Sequence, residues 1–142
     1  MFIYLSSHKQ TAILRNDTSI NKHSKSQKHI SYYENGQIYL EQWFKNGTLH
    51  RIGNPAAIFY YEDGQINHEA HYKDGTQHRM NGAPSTISYF ENRQIRYEVW
   101  YKNGHLHRPG DDPADIRYKY NGQIESKSWY KNGRKLNYIK YN

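Results

Sequence analysis

The chain has 142 residues, a formal net charge of +7 and no cysteine, which suits one domain and excludes disulfides and thiolate metal sites. Hydrophobic residues make up 35%, and 15 Tyr, 4 Phe and 3 Trp supply much of that share. A thick aliphatic core is therefore excluded, and a thin sheet covered by amphipathic rings is expected. The longest apolar stretch, Pro55 to Tyr61, is too short to span a bilayer, and the start Met1-Phe2-Ile3-Tyr4-Leu5 lacks a basic leader. An intracellular, soluble protein is expected, in the host cytoplasm or the virion if it is viral.

Residues 1–29 come first: a polar segment with five Lys/Arg against Asp17, read as a degenerate repeat or a partly disordered cap. From residue 30 one unit of about 29 residues recurs four times, over 30–57, 58–86, 87–115 and 116–142. The units start at Ile30, Ile58, Ile87 and Ile116, so the periods are 28, 29 and 29. The stretch 30–115 carries eight Lys/Arg against eleven acids, whereas 116–142 carries seven against Glu125 alone. Basic ends thus flank a mildly acidic middle.

Each unit holds two Asn-Gly or Asp-Gly pairs between aromatic and β-branched residues, as in Tyr33-Glu34-Asn35-Gly36 and Trp43-Phe44-Lys45-Asn46-Gly47. Asn-Gly favours a type I′ hairpin, which needs positive φ at both central residues. The first pair predicts a turn from a strand at Ile30–Glu34 to one at Gln37–Lys45, and the second returns the chain through Leu49-His50-Arg51. A Pro-Ala segment then interrupts the ladder, since Pro has no N–H to donate. Asn92-Arg93 departs from the pattern and predicts a strained or different turn. Pairing Glu34 with Gln37 would place Tyr33, Ile38, Leu40, Phe44 and Leu49 on one face. Tyr32, Tyr39, Glu41, Trp43 and His50 would take the other. The fold expected is all-β: an elongated, twisted antiparallel array of successive hairpins.

The recurring Tyr-Glu-Asn-Gly and Trp-Tyr-Lys-Asn-Gly blocks resemble MORN-type repeats, more closely their bacterial antitoxin-like variant. The Leu-His-Arg and Asn-Pro-Ala segments resemble repeat proteins of giant DNA viruses of amoebae and of phages. The likeness spans residues 30–133 and implies a MORN-like twisted sheet, a repeat type that acts as a scaffold or as a membrane-associated module, or has no known role.

Three groups of side chains invite chemistry. His50, His78 and His107 each precede an arginine, but equivalent positions lie two strands apart, roughly 10 Å at sheet spacing, too far to share one zinc. Packing of each His-Arg pair on the Pro-Ala turn of its own unit is expected instead. Glu41, Glu69 and Glu98 recur with the scaffold, which suggests cross-strand pairing with His or Arg rather than acid–base work. His105, Asp111 and Asp112 do not recur, and His105, His107 and Asp112 would form a site only if their turn folds back. No catalytic residue, metal site or cofactor is expected, and the chain reads as a non-enzyme.

The favoured function is protein–protein interaction through an aromatic and polar face carrying Tyr39, Trp43, Trp100 and Trp129. Nucleic-acid binding is the alternative, through Lys22, Lys25 and Lys28 at one end and Arg117, Lys119, Lys127, Lys131, Arg134 and Lys135 at the other. A homo-oligomeric structural role is the third reading.

Overall fold

The computed structural model of the protein describes residues 26–142. The first unit contributes β1 (Ser26–Tyr32), β2 (Ile38–Lys45) and β3 (Thr48–Leu49). The second contributes β4 (Ala57–Tyr60), β5 (Ile66–Ala70), β6 (Tyr72–Lys73) and β7 (Thr76–Gln77). The third has β8 (Thr86–Tyr89), β9 (Ile95–Val99), β10 (Tyr101–Lys102) and β11 (His105–Leu106). The last has β12 (Asp115–Tyr118), β13 (Ile124–Lys131) and β14 (Arg134–Lys140). One sheet runs through the described residues in the order β1-β2-β4-β5-β8-β9-β12-β13-β14, with β3 on β2, and every pairing is antiparallel. The architecture is the elongated all-β hairpin array expected from the repeats. β1 begins at Ser26, so Lys28, expected in the basic segment, lies within the first strand.

The two turns of each unit differ. At the second pair both residues have positive φ, as at Asn46 (52°) and Gly47 (79°), and the type I′ expectation holds. At the first pair only the glycine does: Gly36 sits at 84° and donates its N–H to Tyr33 O at 3.0 Å, while the Tyr33 N–H donates to Gln37 O at 2.8 Å. This is a three-residue loop, not a type I′ turn. The Asn35 side chain explains the choice, since its Oδ1 accepts the Gln37 N–H at 2.9 Å, a local bond that competes with the left-handed conformation. Arg93 occupies the glycine slot of the third unit at φ 67°, with the same two backbone bonds, so the turn is strained but not of another type.

That loop brings a β-bulge with it. Tyr32 pairs with Ile38 but Ser31 with Leu40, which leaves Tyr39 unopposed, and the same shift recurs in the other three hairpins. The bulge overturns part of the expected sorting of faces. Ile38 lies with Ile30, Glu41, Trp43 and Ile58, whereas Tyr39 follows Leu40, Phe44 and Phe59 to the opposite side. The buried positions are mostly small, Ala56, Ala57, Ala70, Ser85, Ser88 and Ala114 among them, and Trp100 is the largest buried residue among those described. It forms a cluster with Ala114 and Ile116 against Tyr118, Ile124 and Tyr130.

Candidate functional site

The register puts Trp43, Trp100 and Trp129 on one face and Tyr39 on the other. Tyr39 instead joins a row of rings, 5.1 Å from Tyr33 and 5.8 Å from Phe59, that continues through His68 to Tyr97. Trp100 is 6% exposed, so it is part of the core rather than a presented ring. Trp43 and Trp129 are half-buried. The four side chains expected to form one binding face therefore do not.

The tryptophans belong to a stack with the Leu-His-Arg segments. Arg51 lies 3.8 Å from the Trp43 ring centroid and Arg108 lies 3.9 Å from that of Trp100. Each arginine also bonds the Pro turn of its own unit: Arg51 to Pro55 O (3.3 Å), Arg79 to Pro84 O (2.9 Å) and Arg108 to Pro113 O (3.2 Å). This is the own-unit contact expected of the His-Arg pair. The histidines behave differently and reach the next unit. Asn103 donates its N–H to Nδ1 of His78 at 3.4 Å, and Asn132 donates to His107 at 3.2 Å. The Trp100 indole N–H donates to Gly82 O at 2.9 Å, and that of Trp129 to Asp111 O at 2.8 Å, again from one unit back to the one before.

Glu41 pairs with Lys28 and accepts the Tyr60 hydroxyl at 2.8 Å, and Glu98 accepts that of Tyr118 at 2.7 Å. Burial, then the bond to the carboxylate, pushes both tyrosines up to about 12. The partners of these two are thus Lys and Tyr rather than the expected His or Arg, whereas Glu69, its pKa raised by burial, feels the opposing charge of Arg79. His105, His107 and Asp112 do not converge: His107 is tied to Asn132, Asp112 stands 3.5 Å from Arg108, and His105 lies against Gly133. Among the described residues no three His, Asp or Glu side chains approach closely enough to hold a metal.

The basic candidates separate to the two ends of the sheet. Lys28 is on β1, while Arg117, Lys127, Lys131, Arg134 and Lys135 are on β12–β14, with Lys119 in the turn between β12 and β13. Lys22 and Lys25 lie outside the described residues. Lys127 and Lys135 cover Tyr141 and Tyr138 at 5.7 and 4.5 Å, and Arg117 bonds Asp115 at 3.4 Å.

One unit breaks the stack. In the second copy His71 stands where Trp43, Trp100 and Trp129 stand in the others. The loop facing it, Arg51 to Pro55, is one residue shorter than Arg79 to Pro84 or Arg108 to Pro113. Both changes leave space, and a cleft of about 500 Å³ opens there, lined by Arg51, Gly53, His71, Arg79 and Met80 among others. The corresponding cleft one unit on, which contains Trp100, is about 280 Å³. His71 is 6% exposed, and its Nε2 is buried without a hydrogen-bond partner. Burial, with Arg79 and Arg51 nearby, pushes its pKa down to about 4. The sequence carries the signal for this site as the single period of 28 among 29s, together with His in a Trp position.

No protein-family model, curated protein or solved structure matches this chain. Among the described residues no helix is long and apolar enough to cross a membrane. The fold and the stacked site define an all-β repeat scaffold.

Proposed function

We propose that the array is a non-catalytic, intracellular scaffold that engages a protein partner, and that it is related to the MORN-type and giant-virus or phage repeat proteins its blocks resemble. The observation that carries the reading is the contrast between spent and unspent side chains. The recurring His and Arg residues, with Glu41 and Glu98, are consumed in bonds within and between units. The last strand instead leaves Leu136, Tyr138 and Ile139 exposed at 59%, 49% and 40%. Tyr138 and Ile139 lie on opposite faces of β14, so it is the edge strand itself, with exposed apolar groups along it, that has the character of an interaction surface. Trp129, half-buried on the neighbouring β13 and paired with Asn137 of the last strand, extends the candidate surface. Pull-down from the native source tests it: a Leu136→Glu, Tyr138→Glu double variant is expected to lose the partner while staying folded. Retention of the same partner by that variant counts against the surface.

Nucleic-acid binding is a second reading, supported by the exposed Lys131, Arg134, Lys135 and Lys140 of the last hairpin beside Tyr138. Cationic side chains with an interleaved ring suit a single strand, and such binding weakens steeply with salt. Absence of an oligonucleotide mobility shift at low salt removes this reading. A homo-oligomer would reveal itself through a concentration-dependent mass.

A further inference from the structure

We propose that the cleft between the first and second units is a binding site for a small planar aromatic acid, whose ring takes the place that an indole holds in the later units. The proposal stands independently of the protein-partner reading.

The later units show what the position accepts. Trp100 is held between its own Arg108, 3.9 Å from the ring centroid, and the preceding loop, whose Gly82 O takes the indole N–H at 2.9 Å. Trp129 repeats the bond to the loop before it, at Asp111 O. By alignment Gly53 is the matching loop residue in the first unit, and His71 is the ring opposite it. An imidazole is smaller than an indole, and the shorter loop withdraws from it. The space is not taken up by other side chains, since this cleft is about 500 Å³ against about 280 Å³ at Trp100. That volume falls in the range of small-molecule sites.

Charge decides what kind of ring enters. In the third unit Asp112 stands 3.5 Å from Arg108. The residues at that position in the first two units are Asn54 and Ala83, neither of which carries charge. Among the described residues no carboxylate lies within ion-pair distance of Arg51 or Arg79, and Glu69 acts on Arg79 only from beyond that distance. Both arginines line the cleft, as does Lys73, and each guanidinium keeps N–H groups beyond the one that bonds its own Pro turn. His71 adds a buried Nε2 that lacks a partner. Arg51 already lies over Trp43, so one side of its plane is covered by a ring from its own unit. A flat guanidinium stacks on aromatic rings and accepts a carboxylate along its edge, so a ring with an attached acid meets both properties. Exposed Ile52 and Met80 border the opening and supply apolar contact for the rest of the ring.

Isothermal titration with indole-3-acetate, mapped by amide chemical shifts, tests the assignment on the full chain. Saturable binding is expected, with shifts concentrated at Gly53, His71 and Arg79. Indole is expected to bind more weakly and tryptamine, of opposite charge, at least about tenfold more weakly than the acid. His71→Trp restores the ring of the other units and is expected to weaken binding about tenfold or more. Lys73→Gln, an exposed change that leaves the stack intact, is expected to weaken the acid but not indole. Absence of saturable binding up to about 10 mM, shifts located elsewhere, or undiminished binding by His71→Trp overturns the proposal.

Discussion

Nδ1 of His50 stands 2.8 Å from Oδ1 of Asp74 in the next unit and 3.2 Å from the Asp74 backbone N–H. The equivalent histidines meet the N–H of Asn103 and Asn132, so a side chain in one repeat fastens the type I′ turn of the next. In the asparagine cases Nδ1 must accept, which places the ring proton on Nε2. Replacing His107 by Ala is expected to destabilise the chain by about 1 kcal/mol, the size of one net hydrogen bond plus lost packing. Urea unfolding measures this, and an unchanged midpoint would show that the staple carries no stability.

Trp100 offers a larger effect. Its ring is buried among Ala114, Ile116 and Tyr130, and truncation to Ala removes both that packing and the bond to Gly82 O. A loss of about 3–5 kcal/mol is expected. Trp129, which is half-buried, should lose less when truncated. A Trp100→Ala protein as stable as the parent would contradict its place in the core.

His71 makes stability depend on pH. With its folded pKa lowered to about 4 against an ordinary 6.5, the unfolded chain takes up a proton before the folded one does. The stability is therefore fully present above pH 6.5 and is lost as pH falls toward 4. The loss is on the order of 2–3 kcal/mol from this group. His71→Trp should both stabilise the protein at neutral pH and remove this part of the acid sensitivity. Denaturation midpoints compared at about pH 7 and pH 4.5 check it, and equal losses in the two proteins would remove His71 as the cause.

Arg93 is held at φ 67° in a slot filled by glycine in the other units. A left-handed non-glycine residue costs about 1–2 kcal/mol, partly offset here by the exposed bond from its Nε to Gln65 Oε1 at 2.8 Å. Arg93→Gly is expected to raise stability by about 0.5–1 kcal/mol, read as an increase in Tm.

Gly104 shows the converse. It combines φ 79° with a close neighbour, since an added Cβ would stand 3.0 Å from Thr76 Cγ2. At Gly47, where nothing lies within 4 Å, an alanine is expected to cost only the backbone penalty of about 1–2 kcal/mol, and Gly104→Ala is expected to cost more than that. Parallel melting curves of the two variants separate strain from contact.

The sequence by itself determined the repeat, its antiparallel hairpins and the type I′ turns at Asn46-Gly47 and its equivalents. These depend on local chemistry: strand propensity, glycine's freedom and the short reach of an Asn side chain. Even the odd period of 28 and the substitution of His71 for tryptophan were visible there. What only the tertiary structure decided is which face each ring occupies and which neighbours it meets. A single unopposed residue at Tyr39 reverses the alternation beyond it, because side chains in a strand have a period of two and one insertion exchanges the faces. The inter-unit bonds from Asn103 to His78 and from Trp100 to Gly82 likewise depend on how neighbouring copies stack, which no single repeat encodes. The first two units alone combine a short loop with a small ring, and it is their stacking that turns two modest sequence changes into a cleft.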